Sequence, residues 1–448
     1  VKDVDALIIG SSASGFTAAI TARRHYPDAT LALIRQEEKT LIPCGIPYIF
    51  GTLDSPDKNL MPDPVLAKNN VDLIVDQVTE IDRQAQKVLT SQGQSIGYGK
   101  LIVATGSVPL VPPIPGVDKE NVFSIKKDVS YLTHLLEVLR GCHDVVIIGG
   151  GFIGLEMADE CRKLGDLNIS VVEMLPHCLF AVFDEGLCVQ AEEELTKVGI
   201  RVWASHRAEA LLGNGKVEQV ELDSGERLRA DAVILGIGVR PNTELAQNAG
   251  LEIGPTGGIA VDRHMFTSDP NILAAGDCAD KVDFFTGKPA QVWLASVAAA
   301  EARIAGANLF EIRRAHKGSI SVFSTKIGDL ACGLAGIGEK SAREAGIAYV
   351  VGEAEATDRH PGSLPGTKTL RCKLIFRKYS EILIGGQACG GDTVGEMANL
   401  IATMIQAEMN ADQIATFQMG THPLLTASPV AYPLVNAAEL ALSKMQPS

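Results

Sequence analysis

The chain has 448 residues, enough for two or three domains with cores of their own. Its formal net charge is −14 and it carries no dense lysine or arginine run, which excludes the electrostatic footprint of a nucleic-acid binder. No apolar window reaches the roughly 18 residues of a membrane span, and 46% hydrophobic residues with 44 glycines suit a compact α/β protein.

The chain opens on an apolar strand pattern, V-D-A-L-I-I-G, and on that pattern no secretory signal is expected. Its nine cysteines (Cys44, Cys142, Cys161, Cys178, Cys188, Cys278, Cys332, Cys372 and Cys389) are scattered and odd in number. They form no C-x-x-C and no metal-ligand spacing, so no metal site is expected and a reducing, cytoplasmic location is.

A short apolar strand at residues 6–9 runs into G-S-S-A-S-G and then into the helical T-A-A-I-T-A-R-R. Strand, tight turn and helix aim backbone amides at a pyrophosphate, with Gly10, Ser12, Ala13 and Gly15 in the turn. Ser12 stands where a glycine is usual, so this first motif is also compatible with an ordinary strand-to-helix turn. The next strand ends at Arg35, with Glu37 two residues on, and the ribose partner of this first site stays open, Arg35 being the candidate.

The stretch T-L-I-P-C-G-I-P-Y-I-F-G (residues 40–51) sets Cys44 between two prolines with no second cysteine nearby. Gly45 permits close backbone approach and Pro47 suits the first turn of a helix. A thiol near a helix N-terminus is expected to have a lowered pKa and to be substantially thiolate at neutral pH. Further on, A-T-G-S (Ala104, Thr105, Gly106, Ser107) closes another apolar strand in a glycine turn.

A cleaner dinucleotide motif follows at D-V-V-I-I-G-G-G-F-I-G-L-E, with Gly149, Gly151 and Gly154 in the fingerprint positions. The strand after its helix, N-I-S-V-V-E, ends at Glu173, a carboxylate suited to ribose hydroxyls and repulsive to a 2′-phosphate; NADH is therefore favoured over NADPH. Later, T-S-D-P-N-I-L-A-A-G-D ends a strand at Gly276 and Asp277. There Asp277 is either an acceptor for a ribityl hydroxyl of a flavin or a helix N-cap.

Two dinucleotide motifs in one chain imply an electron relay between two cofactors, FAD and NADH. On this reading residues 1–112 begin an FAD-binding domain, the proline-rich V-P-L-V-P-P-I-P-G marks a crossover, and residues 113–243 form the NAD(P)H-binding domain. Residues 244–315 complete the flavin domain. The remainder, 316–448, has strand patterns L-R-C-K-L-I-F and E-I-L-I-G-G-Q and one long helix, G-E-M-A-N-L-I-A-T-M-I-Q-A, as expected of a dimerisation domain. Cys44 lies about 29 residues past the first glycine turn, within reach of a flavin there. Hydride is expected to pass from NADH to FAD and then, as an electron pair, to the sulfur on Cys44. With one cysteine, the oxidised form is a mixed disulfide, a persulfide or a sulfenic acid.

Together G-S-S-A-S-G, C-G-I-P-Y, A-T-G, G-G-G-F-I-G-L-E, G-V-R-P-N and A-A-G-D resemble the flavoprotein disulfide reductases, specifically their single-cysteine branch. That branch holds coenzyme A disulfide reductases, persulfide or polysulfide reductases, NADH oxidases and NADH peroxidases. The resemblance implies an α/β chain with two Rossmann-like, glutathione reductase-like domains, a C-terminal α+β dimerisation domain, and a homodimer acting on a small-molecule thiol or sulfur substrate. It adds Gly238, in G-V-R-P-N, to the cofactor contacts.

Oxidases and peroxidases of the branch carry a histidine in the first glycine turn, where this chain has Ala13, which cannot donate a hydrogen bond to a peroxide. Arg23 and Arg24 fall where relatives hold coenzyme A phosphates, although an arginine pair on a helix is equally a solvated face. The usual serine and asparagine before the cysteine are replaced by Thr40 and Pro43, the corresponding substrate-side positions. His422 with Pro423 resembles the His-Pro segment that two-cysteine relatives extend over the partner's cysteine, without its usual carboxylate; otherwise it is a turn that orders the tail. Tyr432 resembles a tyrosine that single-cysteine relatives present from the same tail. Glu156 resembles a glutamate near nicotinamide and flavin, bonded to the carboxamide or to a lysine. No sulfurtransferase segment is expected after residue 448, and a persulfide is expected to arrive from outside the chain.

The leading expectation is an FAD-dependent NAD(P)H oxidoreductase that reduces a disulfide or persulfide of a small thiol, coenzyme A favoured, through Cys44. The alternatives are an NADH oxidase acting on oxygen and a flavoprotein that docks to a protein partner as a redox sensor or electron-transfer subunit.

Overall fold

The computed structural model of the protein describes residues 3–445. They divide into two compact units. The first comprises the chain up to Pro113, Phe123–Gly141 and Ile237–Ser319; the second comprises Ile114–Val122, Cys142–Gly236 and the chain from Ile320 onward. Among the described residues no helix is long and apolar enough to cross a membrane.

In the first unit five parallel strands lie in the order Val71–Val75, Leu31–Arg35, Val4–Ile9, Ser95–Val103 and Ile272–Ala274. An antiparallel pair, Val78–Asp82 and Lys87–Thr90, extends the sheet from Ser95–Val103. The central strands are continuous apolar runs because both faces are covered. Leu7, Ile8, Leu33, Ile34, Leu101 and Ile102 are fully buried. One face is closed by the helices Ala13–His25 and Ala295–Asn308, whose alanine-rich flanks let the backbones approach closely. Register is decisive, since Ile9 stands opposite both Ile34 and Val103, and Val103 opposite Ala274. The strands therefore end level, and Gly10, Ala104 and Gly276 emerge at one carboxyl edge, where open α/β sheets bind ligands.

The second unit contains a parallel sheet in the order Ile200–Ala204, Asn168–Glu173, Asp144–Ile148 and Ala232–Leu235. Its C-terminal part is an antiparallel five-stranded sheet, Val322–Ile327, Leu330–Gly336, Leu383–Gly390, Thr369–Arg377 and Tyr349–Thr357 in spatial order. The amphipathic helix Val394–Gln406 buries Val394, Met397, Ala398, Ile401 and Ile405, with Ala398 and Val394 against Gly333 of the sheet.

The arginine pair at the end of the first helix is resolved into two different residues. Arg23 donates to the carbonyl oxygens of Asn69 (2.8 Å), Pro27 (2.6 Å), Ala29 (2.9 Å) and Asn70 (2.6 Å), tying the helix end to two loops. Arg24 is exposed. Charge-assisted bonds to carbonyls are the strong kind. Arg23→Met should therefore lower stability in urea unfolding by about 2–4 kcal/mol, whereas Arg24→Met should stay within about 0.5 kcal/mol of the native chain.

Candidate functional site

The first glycine turn is shaped by backbone contact. A Cβ on Gly10, whose φ is +101°, would lie 2.2 Å from the Ala104 carbonyl oxygen, and one on Gly15 would lie 1.8 Å from that of Gly10. Only glycine fits at either place. Ser12 caps the helix without a side-chain bond to it, Ala13 is the first helical residue, and the buried Ser14 hydroxyl has no hydrogen-bond partner. An unsatisfied buried hydroxyl beside a bare amide turn fits a bound polar group, such as the pyrophosphate of a dinucleotide.

Arg35 is buried at the end of its strand, and its guanidinium is held by internal partners. It forms a bidentate pair with Asp63 (2.7 and 2.6 Å) and donates to the carbonyls of Glu37 and Glu38.

Two further segments reach the same edge. Thr105 Oγ1 donates to the Asn242 carbonyl at 2.7 Å, and the Asn242 amide donates to the Gly106 carbonyl at 2.9 Å. These bonds bring the G-V-R-P-N segment, including Gly238, onto the A-T-G-S turn; Val239–Pro241 pairs antiparallel with Ser107–Pro109. Ser107 Oγ donates to Asp277 Oδ2 at 2.7 Å. No helix begins until Ala295, so Asp277 is not an N-cap. Its role as a cap falls away, and one of its carboxylate oxygens is fixed by Ser107.

Cys44 lies in the middle of a single 3₁₀ turn, Pro43–Gly45, followed by a second, Pro47–Ile49. The expected α-helical N-terminus is absent here for a covalent reason. Pro47 has no N–H to give to the Pro43 carbonyl four residues back, and the Ile46 amide takes it instead at 3.2 Å. The turn is pinned from the other side by Asn59, buried, which donates from Nδ2 to the Ile42 carbonyl at 2.9 Å; the Ile42 amide donates back to the Asn59 carbonyl at 2.9 Å. A Cβ on Gly45 would lie 2.0 Å from Asn59 Oδ1. Four residues before the cysteine, the buried Thr40 hydroxyl is hydrogen-bonded to that of Ser11 in the glycine turn. One side-chain contact thus couples the cysteine loop to the dinucleotide turn. Pro43 is half-buried.

Cys44 is exposed and the other eight cysteines are buried. Burial pushes the thiols of Cys142 up to about 11 and Cys188 up to about 12, and it raises those of Cys161, Cys178, Cys278, Cys332, Cys372 and Cys389 as well. Protonated, enclosed thiols are inert. Cys278, beside Asp277, spends its proton on the carbonyls of Val103 and Ala275.

In the second unit, Gly149, Gly151 and Gly154 form a turn of the same kind, with a Cβ on Gly154 meeting the Gly149 carbonyl oxygen at 1.9 Å. Glu173 is buried. Its Oε2 accepts from the Gly150 amide and its Oε1 from the Leu175 amide, each at 2.7 Å. Glu156, one helical turn into Phe152–Arg162, accepts from Thr325 Oγ1 of the C-terminal sheet at 2.8 Å. Its protein partner is thus a threonine, and the lysine allowed by the sequence is not the one found. Phe152 stacks on Phe323 in the same junction, 5.0 Å between centroids.

The tail residues are built differently from one another. His422 is exposed and its Nδ1 accepts from the Leu424 amide at 3.3 Å, which leaves the neutral ring's proton on Nε2. Its loop is clasped by His360, whose amide donates to the Pro423 carbonyl (3.0 Å) and whose Nδ1 donates to that of Thr426 (3.1 Å). Nothing in the sequence singled out His360, which lies 62 positions away. Tyr432 caps the last helix, Pro433–Leu442, with its ring edge-on to Phe417; burial raises its phenol.

The residues that a family-wide description covers match almost the whole chain. Residues 4–302 match the model described as pyridine nucleotide-disulphide oxidoreductase, and residues 322–431 match its dimerisation domain. The chain belongs to the pyridine nucleotide-disulphide oxidoreductase family. It is 34% identical to an NADH oxidase of Methanocaldococcus jannaschii over 98% of this chain and 99% of that one. It is 31% identical to an NAD(P)H coenzyme A polysulfide/persulfide reductase of Pyrococcus horikoshii, covering 92% and 93%. An NAD-dependent persulfide reductase structure from A. fulgidus superposes with a TM-score of 0.91 at 32% identity, over 99% of this chain and 83% of that one. The fold is the glutathione reductase-like arrangement of Rossmann-like regions with a separate C-terminal domain, and the protein is an FAD- and NAD(P)H-dependent oxidoreductase with a candidate redox cysteine.

Burial is the main cause that lifts the Glu156 carboxyl to about 7; the Thr325 bond opposes the rise and Glu160 adds to it. Unfolded, that group titrates near 4.5, so the folded state holds an extra proton between the two values and stability falls as pH rises through that window. The Glu156→Gln variant should lack this slope. Urea unfolding of both proteins at pH 4.5 and pH 8 should show the native chain losing about 2–3 kcal/mol relative to the variant.

Proposed function

We propose that this protein uses NADH to reduce the disulfide or persulfide of a small thiol through Cys44, with coenzyme A the favoured thiol. The observation that carries the reading is the contrast among the cysteines, because one exposed thiol on a rigid turn coupled to the glycine turn stands against eight buried ones. Relatives named for coenzyme A-dependent persulfide chemistry, similar over nearly the full length, support the same direction.

The flavin would be held by the Gly10–Gly15 turn, Ala104, Thr105, Gly106, Gly238, Gly276 and Asp277, and the nicotinamide cofactor by Gly149, Gly151, Gly154 and Glu173, with Glu156 in the same helix. Bound FAD supplies a two-electron carrier that takes hydride from the reduced nicotinamide and returns an electron pair to sulfur. Cys44 thiolate attacks a disulfide R–S–S–R, forming Cys44–S–S–R and releasing RS⁻; two electrons then cleave the mixed disulfide to Cys44 thiolate and a second RS⁻. Two protons, taken up from solvent, complete the balance, and the Nε2–H of His422, presented by a partner copy, is our candidate hydrogen-bond donor to the departing thiolate. Tyr432, edge-on to Phe417, shapes the tail that carries it. On the substrate side, Thr40 and Pro43 frame the thiol. Arg24 is the member of the arginine pair with its guanidinium available for a phosphate, since Arg23 is committed to carbonyls.

A second reading, an NADH oxidase, is favoured by the 34% identity to a full-length relative of that name. Ala13, which offers no hydrogen-bond donor beside the thiol, speaks against peroxide as the acceptor. Stopped-flow mixing of anaerobically NADH-reduced enzyme with coenzyme A disulfide, coenzyme A persulfide or oxygen separates the readings. Fast flavin reoxidation by a sulfur acceptor, abolished in Cys44→Ser, is the expected result. Reoxidation by oxygen alone, retained in Cys44→Ser, would make the protein an oxidase.

Glu173 sets the expected coenzyme preference. A carboxylate already bound by two amides has no freedom to turn from a 2′-phosphate, so NADPH should bind about ten-fold or more weaker than NADH. Fluorescence titration with both coenzymes should show that gap narrowing in Glu173→Gln, and an unchanged gap would remove Glu173 from specificity.

A further inference from the structure

Beneath the Gly276–Asp277 turn lies an ion pair that neither the glycine motifs nor the cysteine chemistry explains. Lys281 and Glu301 have side chains 0% and 1% exposed, and their charged atoms are 3.0 Å apart. Lys281 is among the largest fully buried side chains of the protein. A buried pair of this kind contributes little or nothing to stability compared with an apolar pair of similar volume, so its presence asks for another role.

The partners of the pair supply one. Glu301 Oε2 accepts from the Gly276 amide at 2.9 Å. Lys281 Nζ donates to the Gly276 carbonyl at 2.6 Å and to that of Ala279 at 2.8 Å; with Glu301 these satisfy all three of its N–H groups. Both main-chain polar groups of one glycine are therefore held by the two members of one ion pair. Gly276 has a φ of +87°, and a Cβ there would lie 2.7 Å from Ser14 Cβ at the start of the first helix. The residue that follows it is Asp277, fixed on its other side by Ser107.

We propose that Lys281 and Glu301 are positioning residues for the flavin: by clamping the peptide groups of Gly276 they orient the Asp277 carboxylate before the cofactor arrives, so that little ordering is left to the binding step. This rests on the flavin site proposed above. Neither residue touches the ligand, and both act through the backbone of Gly276. The pair is invisible to motif reading because a lysine and a glutamate 20 positions apart look like two solvated charges.

The test is FAD release from the holoenzyme, followed as flavin fluorescence recovers on dilution, with NADH affinity and the urea midpoint measured on the same samples. Lys281→Met/Glu301→Gln, which removes both charges together, should fold and release FAD about ten-fold faster or more, with NADH affinity unchanged. If this double variant does not fold, Glu301→Gln alone carries the test. It is nearly isosteric and keeps an oxygen for the Gly276 amide, and it should release FAD about three-fold faster or more. Native release rates with only a lowered urea midpoint would overturn the proposal and leave the pair as packing. Asp277→Asn distinguishes the two levels of the reading. Faster release there with native release in the pair variants refutes the clamp alone, whereas native release in Asp277→Asn refutes the flavin role of Asp277 and the clamp with it.

Discussion

The functional geometry depends on a register. Parallel strands in the first unit end level because Ile9 is opposite Ile34 and Val103, and Val103 is opposite Ala274. A side-chain period of two makes any one-residue slip fatal to this arrangement, since it would turn the buried row of Leu7, Ala32 and Leu101 toward the opposite face. Given the register, three turns from distant parts of the chain meet at one edge; backbone contact requires the glycines of the first, and a positive φ favours glycine at Gly106 and Gly276. The second unit repeats the device with Ile148 opposite Val172 and Leu235.

Around that edge the chain uses different means to fix each group. Hydroxyl contact couples Thr40 to Ser11, a carboxylate accepts from Ser107, and an ion pair grips Gly276. Two prolines four residues apart forbid a helix at Cys44 and force two tight turns. These are rigid solutions, appropriate where reacting groups must be held within fractions of an ångström.

Much of this was legible in the sequence, and the reasons for the rest are physical. The glycine turns read clearly because strand, turn and helix follow one another within about 15 residues, and Glu173 ends its strand as expected. Arg23 and Arg24 were indistinguishable as neighbours on one helix; only the positions of the Asn69 and Asn70 carbonyls separate a staple from an exposed charge. Glu156 found Thr325, 169 residues away, and no local pattern marks such a partner. Pro43 and Pro47 did contain the signal for a 3₁₀ turn, in the missing amide at the fourth position. His360 and the Lys281–Glu301 pair carry no motif at all, since their significance lies entirely in which carbonyls they reach.

The distribution of thiols has a consequence for chemical selectivity. Any accessible thiolate can attack disulfides and peroxides, so a chain with several exposed cysteines is open to cross-reaction at each of them. Here eight of the nine are enclosed and kept protonated by the same apolar packing that stabilises the sheets and helices. The core thus serves as a protecting group, leaving Cys44 as the single exposed thiol without spending any residue on a dedicated defence.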